Sequence, residues 1–121
     1  MATVLVVEDS ASEAAIITSC LQKGGLIPII VGSSEEARQR LEQQKPDLIV
    51  LDVVLPGSSG FEFCRELRKK PETAHLPIVI CSTKDGDMDK FWGMKQGASA
   101  YITKPINQEE LLRTVQALIK A

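Results

Sequence analysis

The sequence predicts a doubly wound α/β fold, in which helices cover both faces of a five-stranded parallel sheet. Five short apolar runs, rich in β-branched residues, alternate with amphipathic stretches along the chain. Most runs lack the polar alternation of half-exposed strands, which is typical of strands buried on both faces. Strands that alternate with helices imply right-handed crossovers and parallel pairing. The predicted strands are Thr3–Val7, Ile27–Val31, Leu48–Leu51, Pro77–Cys81 and Ser99–Thr103.

The second run indicates the strand order. Pro28 lies inside this run, and because proline has no N–H to donate to a central ladder, the strand is expected at a sheet edge. The order 2-1-3-4-5, one of the common orders of doubly wound sheets, places the second strand outermost. We therefore predict that order.

Polar residues mark where several helices begin. Three of them precede a Glu by three positions, as in a capping box or its Asn variant. The pairs are Ser10 with Glu13, Ser33 with Glu36, and Asn107 with Glu110. A further helix is predicted from Asp87 to Gln96.

Length and composition predict one ordinary globular domain over residues 1–121. The chain is 44% apolar and 25% charged, and its net charge of -2 argues against a broad electrostatic contact with nucleic acid or an anionic membrane. It has no apolar segment of about 20 residues and no basic N-terminal region with a cleavage site, so we expect a cytoplasmic protein. Three separated cysteines, Cys20, Cys64 and Cys81, are expected to be packed in the core.

Polar side chains follow four of the predicted strands. The first strand is followed by Glu8 and Asp9, the third by Asp52, the fourth by Ser82 and Thr83, and the fifth by Lys104. The carboxyl ends of parallel strands share one edge, and ligands bind where the strand order reverses, here between the first and third strands. The three carboxylates should therefore meet in one crevice.

This combination of residue types suits phosphoryl chemistry with a metal ion. Carboxylates held together repel each other and need a proton or a cation, and oxygen ligands without His or Cys favour Mg²⁺. The metal and Lys104 would neutralise phosphoryl oxygens, Ser82 would donate a hydrogen bond, and Asp52 would be the nucleophile. Simpler interpretations are a helix cap at Glu8-Asp9, a solvated Lys104, and ordinary strand-end polarity at Ser82.

Taken together, these motifs resemble the receiver domain of bacterial two-component response regulators. The matching features are VVED near the N-terminus, D-x-x-L-P-x-x-x-G from Asp52 to Gly60, Ser82 after an apolar strand, and Lys104-Pro105. The resemblance covers essentially the whole chain and implies a flavodoxin-like fold of the CheY type. It also implies that Asp52 accepts a phosphoryl group from a histidine kinase or phosphotransfer protein. Gly57 and Gly60 are interpreted as turn glycines of the acceptor loop.

The resemblance assigns further roles by position. Mg²⁺ would be bound by Glu8, Asp9, Asp52 and the backbone carbonyl of Val54. Ser82 and Lys104 would contact the phosphoryl group, Tyr101 would be the switch aromatic, and the Lys104–Pro105 peptide bond is expected to be cis. The positions that tune hydrolysis of the acyl phosphate would be Val54, Thr83 and Lys84, and Thr83 is bulkier than the Ala or Gly that the family mostly has.

The helix from Asp87 to Gln96 allows two interpretations. By the family's pattern Phe91, Met94 and Ala98 face the core, whereas Met88 and Trp92 occupy positions that are usually exposed. Met88 and Trp92 are four residues apart and would share one helical face, forming an apolar partner surface beside Tyr101. The alternative is that Trp92 packs over its own neighbours.

The predicted function is a phosphorylatable signalling switch without an enzymatic activity on other substrates. Since the sequence ends at Ala121, its output is expected to be contact with a downstream protein, as a monomer or weak dimer, unless the domain is a phosphate relay or sink. The segments at 82–84 and 92–98 resemble receivers of chemotaxis and twitching-motility systems. Two alternatives are a haloacid-dehalogenase-type hydrolase, which would need an acid where Val54 stands, and a pseudo-receiver that binds without phosphorylation.

Overall fold

Strands and helices alternate through the whole of the structure, a computed structural model that describes residues 1–120. The strands are β1 (Thr3–Val7), β2 (Ile27–Val31), β3 (Leu48–Leu51), β4 (Ile78–Ser82) and β5 (Ala100–Thr103). The helices are α1 (Ala11–Lys23), α2 (Ser34–Gln43), α3 (Gly60–Lys69), α4 (Asp87–Lys95) and α5 (Gln108–Lys120). None of the helices described within residues 1–120 is long and apolar enough to cross a membrane.

The five strands form one parallel sheet in the order β2-β1-β3-β4-β5, which confirms the predicted fold class and topology. Pro28 pairs with Val4 on the outermost strand, where its missing N–H costs no central ladder bond. β4 and β5 begin one residue later than predicted, and β4 ends one residue later. Ser82 is therefore the last residue of β4, paired with Thr103.

Two apolar layers cover the sheet, one on each face. The layer beneath α1 and α5 includes Val4, Val6, Val50 and Val79, and the layer beneath α2 and α3 includes the neighbouring strand residues that point the other way. All three cysteines are free and buried, as predicted. The sheet is thus covered on both faces, which explains why its strands read as continuous apolar runs.

The predicted helix starts are confirmed by their hydrogen bonds. The Ser10 Oγ accepts from the Glu13 N–H at 3.3 Å, and the Ser33 Oγ accepts from the Glu36 N–H at 3.2 Å. In the last helix the Asn107 Oδ1 accepts from the Glu110 N–H at 3.0 Å. The Ser10 N–H is bound by Glu8 instead of Glu13, so the first helix has only half of a capping box.

Helix α4 differs from the prediction in which side it buries. Phe91 and Met94, predicted to face the core, are 58% and 47% exposed, so that expectation is wrong. The buried residue of the helix is Gly93, where an added Cβ would lie 2.8 Å from the Tyr101 Cδ2 atom. Because α4 approaches Tyr101 through a glycine, its larger apolar side chains lie on the outside. Ala98, just after the helix, is buried as predicted.

Candidate functional site

Three strand ends bring their polar residues to one edge of the sheet through backbone pairing. The Glu8 N–H donates to Val31 O at 3.0 Å, the Asp52 N–H to Val7 O at 3.0 Å, and the Lys104 N–H to Ser82 O at 2.9 Å. Each bond extends a parallel ladder by one residue. The side chains of Glu8, Asp52 and Lys104 therefore leave a backbone that the sheet holds in place.

The side chains of these three residues meet in a buried cluster. The Lys104 Nζ lies 2.5 Å from the Glu8 Oε1 and 3.3 Å from the Asp52 Oδ2. The three side chains are only 6%, 2% and 10% exposed, respectively. One ammonium thus lies between two carboxylates, and the cluster carries one excess negative charge.

Burial and pairing oppose each other in the titration of this cluster. Burial raises the pKa of Glu8, and the contacts with Lys104 and with the Ser10 N–H only partly reverse this. Burial alone would lower the pKa of Lys104, but hydrogen bonding to Glu8 and the charge of Asp52 outweigh it and raise the pKa. Lys104 is therefore a cation that the site retains at neutral pH.

The loop after Asp52 is folded back tightly on that residue. The Gly60 N–H donates to Val53 O at 2.8 Å, and Val54 forms an antiparallel bridge with Ser59. A Cβ at Gly60 would lie 2.0 Å from the Asp52 carbonyl oxygen, so the glycine of the D-x-x-L-P-x-x-x-G motif is required by close approach. Gly57, with a φ of +83°, is the turn glycine that was expected; Gly60 instead begins α3.

Val54 contacts Asp52 through its backbone, whereas its side chain is exposed. Its N–H donates to the Asp52 Oδ1 at 3.4 Å, which orients the Asp52 carboxylate. Its side chain, two residues after Asp52, is 59% exposed. Val54 therefore binds Asp52 through its backbone and leaves its side chain in solvent.

The β4 end contributes a hydroxyl and a linked loop. Ser82 is fully buried, and its Oγ accepts from the Lys84 N–H at 3.2 Å. The Tyr101 hydroxyl donates to the Lys84 carbonyl at 2.6 Å, and burial raises the pKa of that hydroxyl. Thr83 and Lys84 are themselves exposed. Ser82 and Tyr101 are therefore joined through the backbone of one residue, Lys84.

Asp9 lies apart from the buried cluster. Its side chain is exposed, whereas Glu8 is turned inward to Lys104. Across residues 1–120, no three acidic, His or Cys side chains are gathered closely enough to hold a metal ion. The donor chemistry nevertheless fits Mg²⁺, because Glu8 and Asp52 share a single ammonium and a third carboxylate follows next in the chain. The Lys104–Pro105 peptide bond is cis, as predicted.

The outer side of α4 is a further candidate surface. Met88 is 75% exposed and Trp92 47% exposed, in agreement with the prediction, and Phe91 and Met94 extend the apolar area. Trp92 also lines a cleft with Phe61 and Gln96. We call Met88, Phe91, Trp92 and Met94 the α4 patch. The signal that could have revealed its full extent was Gly93, since a glycine inside a helix often marks close packing of that side.

Comparisons with known proteins agree with this geometry. Residues 4–116 match the family described as response regulator receiver domain. The chain is 40% identical to Protein PilH of Pseudomonas aeruginosa over 119 residues, which cover 98% of both proteins. A crystal structure of a putative response regulator from Chloroflexus aurantiacus superposes with a TM-score of 0.95 at 31% identity, covering 99% of this chain and 98% of that one. The chemotaxis protein CheY4 of Vibrio cholerae gives 0.89 at 32% identity, covering 98% of each chain. The chain therefore belongs to the response regulator receiver domain family of two-component systems.

Proposed function

We propose that residues 1–121 form a single receiver domain that acts as a phosphorylatable switch, with Asp52 as the phosphoryl acceptor. The observation that carries the proposal is the buried Asp52 carboxylate, held 3.3 Å from the Lys104 ammonium at the crevice of the sheet. A buried carboxylate is costly unless a cation pairs with it, and Lys104 is that cation here. The protein is a regulatory phosphoprotein of the cytoplasm, and its phosphotransfer chemistry acts on its own aspartate.

The proposed reaction moves a phosphoryl group from a phosphohistidine to Asp52. A carboxylate oxygen attacks phosphorus, the P–N bond breaks, and its electron pair returns to the imidazole of the kinase or phosphotransfer protein. When bound by Glu8, Asp9, Asp52 and the Val54 carbonyl, Mg²⁺ supplies neutralisation of the phosphoryl charge. Lys104 pairs with a phosphoryl oxygen, and Ser82 donates a hydrogen bond to another.

The conformational readout passes through Lys84 and Tyr101. If the Ser82 hydroxyl turns toward the phosphoryl group, it gives up its bond from the Lys84 N–H. The Lys84 carbonyl holds the Tyr101 hydroxyl, so this movement reaches the ring that lies against α4. Phosphorylation then stabilises one of two existing arrangements of this region. Val54, Thr83 and Lys84 are proposed to set the lifetime of the acyl phosphate, because all three are exposed and follow within two residues of Asp52 or Ser82.

The α4 patch is proposed as the contact surface for a downstream protein. Four large apolar side chains on a nine-residue helix are more than scattered surface residues, and such areas mark interaction sites. Alanine at Met88 and Trp92 should weaken binding to the cognate target about tenfold or more. Unchanged binding of that variant to every cognate partner would contradict this part of the proposal.

A role in chemotaxis or twitching motility is the proposed setting. It is supported by the 40% identity to Protein PilH, the likeness to chemotaxis protein CheY4, and the resemblance of the segments at 82–84 and 92–98. The proposed partners are a histidine kinase or phosphotransfer protein and a protein target, with no direct nucleic-acid contact. In solution we expect a monomer or weak dimer.

The deciding experiment is incubation with Mg²⁺ and a small acyl-phosphate donor, followed by intact mass measurement. We expect one phosphoryl adduct on the unmodified protein and none on Asp52→Asn. The matched control is Asp47→Asn, which alters the exposed aspartate that precedes the same strand at the opposite edge of the sheet. An adduct that persists in Asp52→Asn would contradict the acceptor assignment. No adduct on any variant, and no response to beryllofluoride in Trp92 fluorescence, would favour a pseudo-receiver.

A further inference from the structure

Helix α4 is attached differently at its two ends. At the C-terminal end the N–H groups of Gly97 and Ala98 both donate back to carbonyls of the helix, as in a Schellman motif. At the N-terminal end Gly86 has no side chain that could cap the helix. We propose that Arg68 of α3 is the residue that fixes the C-terminal end of α4, and that α4 turns about this end when the switch operates. The fixed end is inferred from contacts, whereas the turning rests on the proposed function.

Arg68 connects the end of α4 to the segments that lead into two strands. Its Nε donates to Gly97 O at 2.9 Å, and its Nη1 donates to Leu76 O at 2.6 Å, two residues before β4. Its Nη2 lies 3.5 Å from the Oγ of Ser99, the residue before β5. Because the guanidinium is planar and rigid, its donors hold these three acceptors in a fixed arrangement. The end of α4 is therefore tied to the starts of β4 and β5 as well as to α3.

The Arg68 guanidinium is charged but has no acidic partner. It forms no ion pair within residues 1–120, and its acceptors are backbone carbonyls and one hydroxyl. Burial lowers the pKa of Arg68, but an arginine side chain stays protonated in a protein. Carbonyls at the C-terminal end of a helix carry negative partial charge and favour a cation there. The contact with the end of α4 therefore stabilises a partly buried charge, which makes it stronger than a bond between neutral groups.

Gly97 allows α3 and the end of α4 to approach this closely. Its φ of +110° lies in the left-handed region, where a glycine is favoured. A Cβ at this position would lie 2.6 Å from the Arg68 Cγ atom. A side chain at residue 97 would therefore displace the arginine that binds its carbonyl.

Arg68 is also the last member of a row of contacts along α3. Gly60, Cys64 and Arg68 are each four residues apart and share one face of the helix. Gly60 touches the backbone of Asp52, and the Cys64 Sγ donates to Gln96 O at 3.6 Å. This face of α3 therefore runs from the proposed acceptor to the C-terminal end of α4, and it holds that end at a fixed position relative to Asp52.

The other end of α4 is attached through the segment that the proposed switch moves. Residues 83–86 are exposed, and the Tyr101 hydroxyl holds this segment at Lys84 O. A displacement of Lys84 therefore acts on the N-terminal end of α4, while Arg68 holds the opposite end. The helix then turns, and Met88, at the free end of the α4 patch, is displaced most.

The first test compares the amide hydrogen exchange of Arg68→Met with that of the unmodified protein. Loss of the fixed end should let α4 open locally, so exchange of its amides should rise about tenfold or more beyond any rise in β1 and β3. Lys69→Met is the matched control, because it removes a cation from the next position of α3, where the lysine is exposed and forms no ion pair within residues 1–120. It should leave exchange in α4 relative to β1 within about threefold. An equal rise in α4, β1 and β3 would show that Arg68 contributes to overall stability alone and would overturn the inference, as would unchanged exchange in α4.

A second measurement uses the unmodified protein and does not depend on a variant's folding. Helices usually fray at both ends. With the C-terminal end fixed, the amides of Gly97 and Ala98 should exchange about tenfold or more slowly than those of Lys90 and Phe91 near the other end. Equal protection at the two ends, or faster exchange at Gly97 and Ala98, would overturn the inference.

The turning of α4 is tested with Mg²⁺ and beryllofluoride, an analogue of the phosphoryl group. In the unmodified protein the changes in amide chemical shift should decline along α4 from Met88 to Lys95, and in Arg68→Met this decline should disappear. A uniform change along α4 in the unmodified protein, or a decline that persists in Arg68→Met, would overturn the turning while leaving the proposed function intact. No response at Asp52 or in α4 would overturn the proposed function and the turning with it, whereas the exchange measurements would still decide whether Arg68 fixes the helix end.

Discussion

Helices α3 and α4 lie on the same face of the sheet, yet they are attached to it in different ways. α3 buries Phe63, Cys64 and Leu67 in the core and begins at Gly60, which touches the backbone of Asp52. α4 buries only Gly93 among its nine residues. One helix therefore contributes large apolar side chains to the interior, whereas the other directs them to solvent.

This difference separates a helix that is anchored in the core from a helix whose apolar side chains are exposed. Burial of apolar surface supplies most of the stability of a helix in a protein, so α3 should hold the acceptor loop rigidly. The α4 patch contributes little to the fold while it is exposed, and its free energy of burial is available to a partner. The comparison thus assigns α3 to stability and supports the proposed role of α4 in recognition.

The largest expected difference in stability comes from replacing a phenylalanine by alanine in each of the two helices. Phe63→Ala removes a ring that is 1% exposed and should lower the free energy of unfolding by about 3 to 5 kcal/mol. Phe91→Ala removes a ring that is 58% exposed and should change it by about 0.5 kcal/mol or less. Urea denaturation monitored by far-UV circular dichroism measures both. A cost of more than about 2 kcal/mol for Phe91→Ala would mean that α4 is packed in solution with Phe91 inside.

The next effect concerns the glycine with which α3 begins. Gly60→Ala places a methyl group against the Asp52 carbonyl oxygen and 2.8 Å from the Val53 Cα atom, and backbone atoms cannot give way as a flexible side chain would. We expect a loss of about 1 to 3 kcal/mol of stability and slower phosphorylation of Asp52. Gly32→Ala is the control, because its Cβ would meet only the Glu36 carboxylate at 3.5 Å. Equal stability of the two variants would show that the loop between Asp52 and α3 is less rigid than the close approach at Gly60 indicates.

The predictability of the two helices follows the same division. The strand ends and the positions of Glu8, Asp52 and Lys104 could be predicted because parallel topology alone brings strand termini to one edge. The orientation of α4 could not be predicted. Phe91 and Met94 are apolar at positions that suit either a core face or a partner surface, and the apolar periodicity is the same in both cases. The Lys104–Glu8 contact depends on side-chain rotamers, which the sequence pattern does not specify.

A smaller effect is expected where α4 meets the sheet. A Cβ at Gly93 would lie within 3.0 Å of two atoms of the Tyr101 ring and 3.2 Å from the Phe61 Cε1 atom, all of them side-chain atoms. Ring displacement costs stability, but alanine gains about 1 kcal/mol of helix propensity over glycine, so the net loss in Gly93→Ala should be about 1 kcal/mol or less.

The ring itself provides the more sensitive measurement for this variant. Tyr101 is the one tyrosine of the sequence, so the ring resonances of tyrosine-labelled protein report on it directly. We expect them to shift in Gly93→Ala, because the ring must move away from its bond with the Lys84 carbonyl. Unshifted ring resonances would mean that α4 moves away from the ring instead. Its packing on the sheet would then be weaker than the burial of Gly93 indicates.

The smallest expected effect is electrostatic and belongs to α3. Glu66 of α3 pairs with Arg38 of α2 through two hydrogen bonds of 2.6 and 2.8 Å, whereas α4 has no ion pair with another element within residues 1–120. Hydrogen bonding to Arg38 lowers the pKa of Glu66 from 4.5. A lowered carboxyl pKa adds stability that is fully present above the unfolded pKa and is lost as pH falls through the folded one.

The stability difference between the unmodified protein and Glu66→Gln should therefore be constant at neutral pH, begin to fall near pH 4.5, and disappear once the pH has passed below the lowered pKa of Glu66 in the folded protein. Both side chains are about one-third exposed, so solvent screening should keep the difference below about 1 kcal/mol. Glu72→Gln is the matched control, because it alters an exposed glutamate just beyond α3 that forms no ion pair within residues 1–120. If the stability difference persists undiminished at acid pH, Glu66 holds α3 by packing. The ion pair with Arg38 would then not contribute to the difference between α3 and α4.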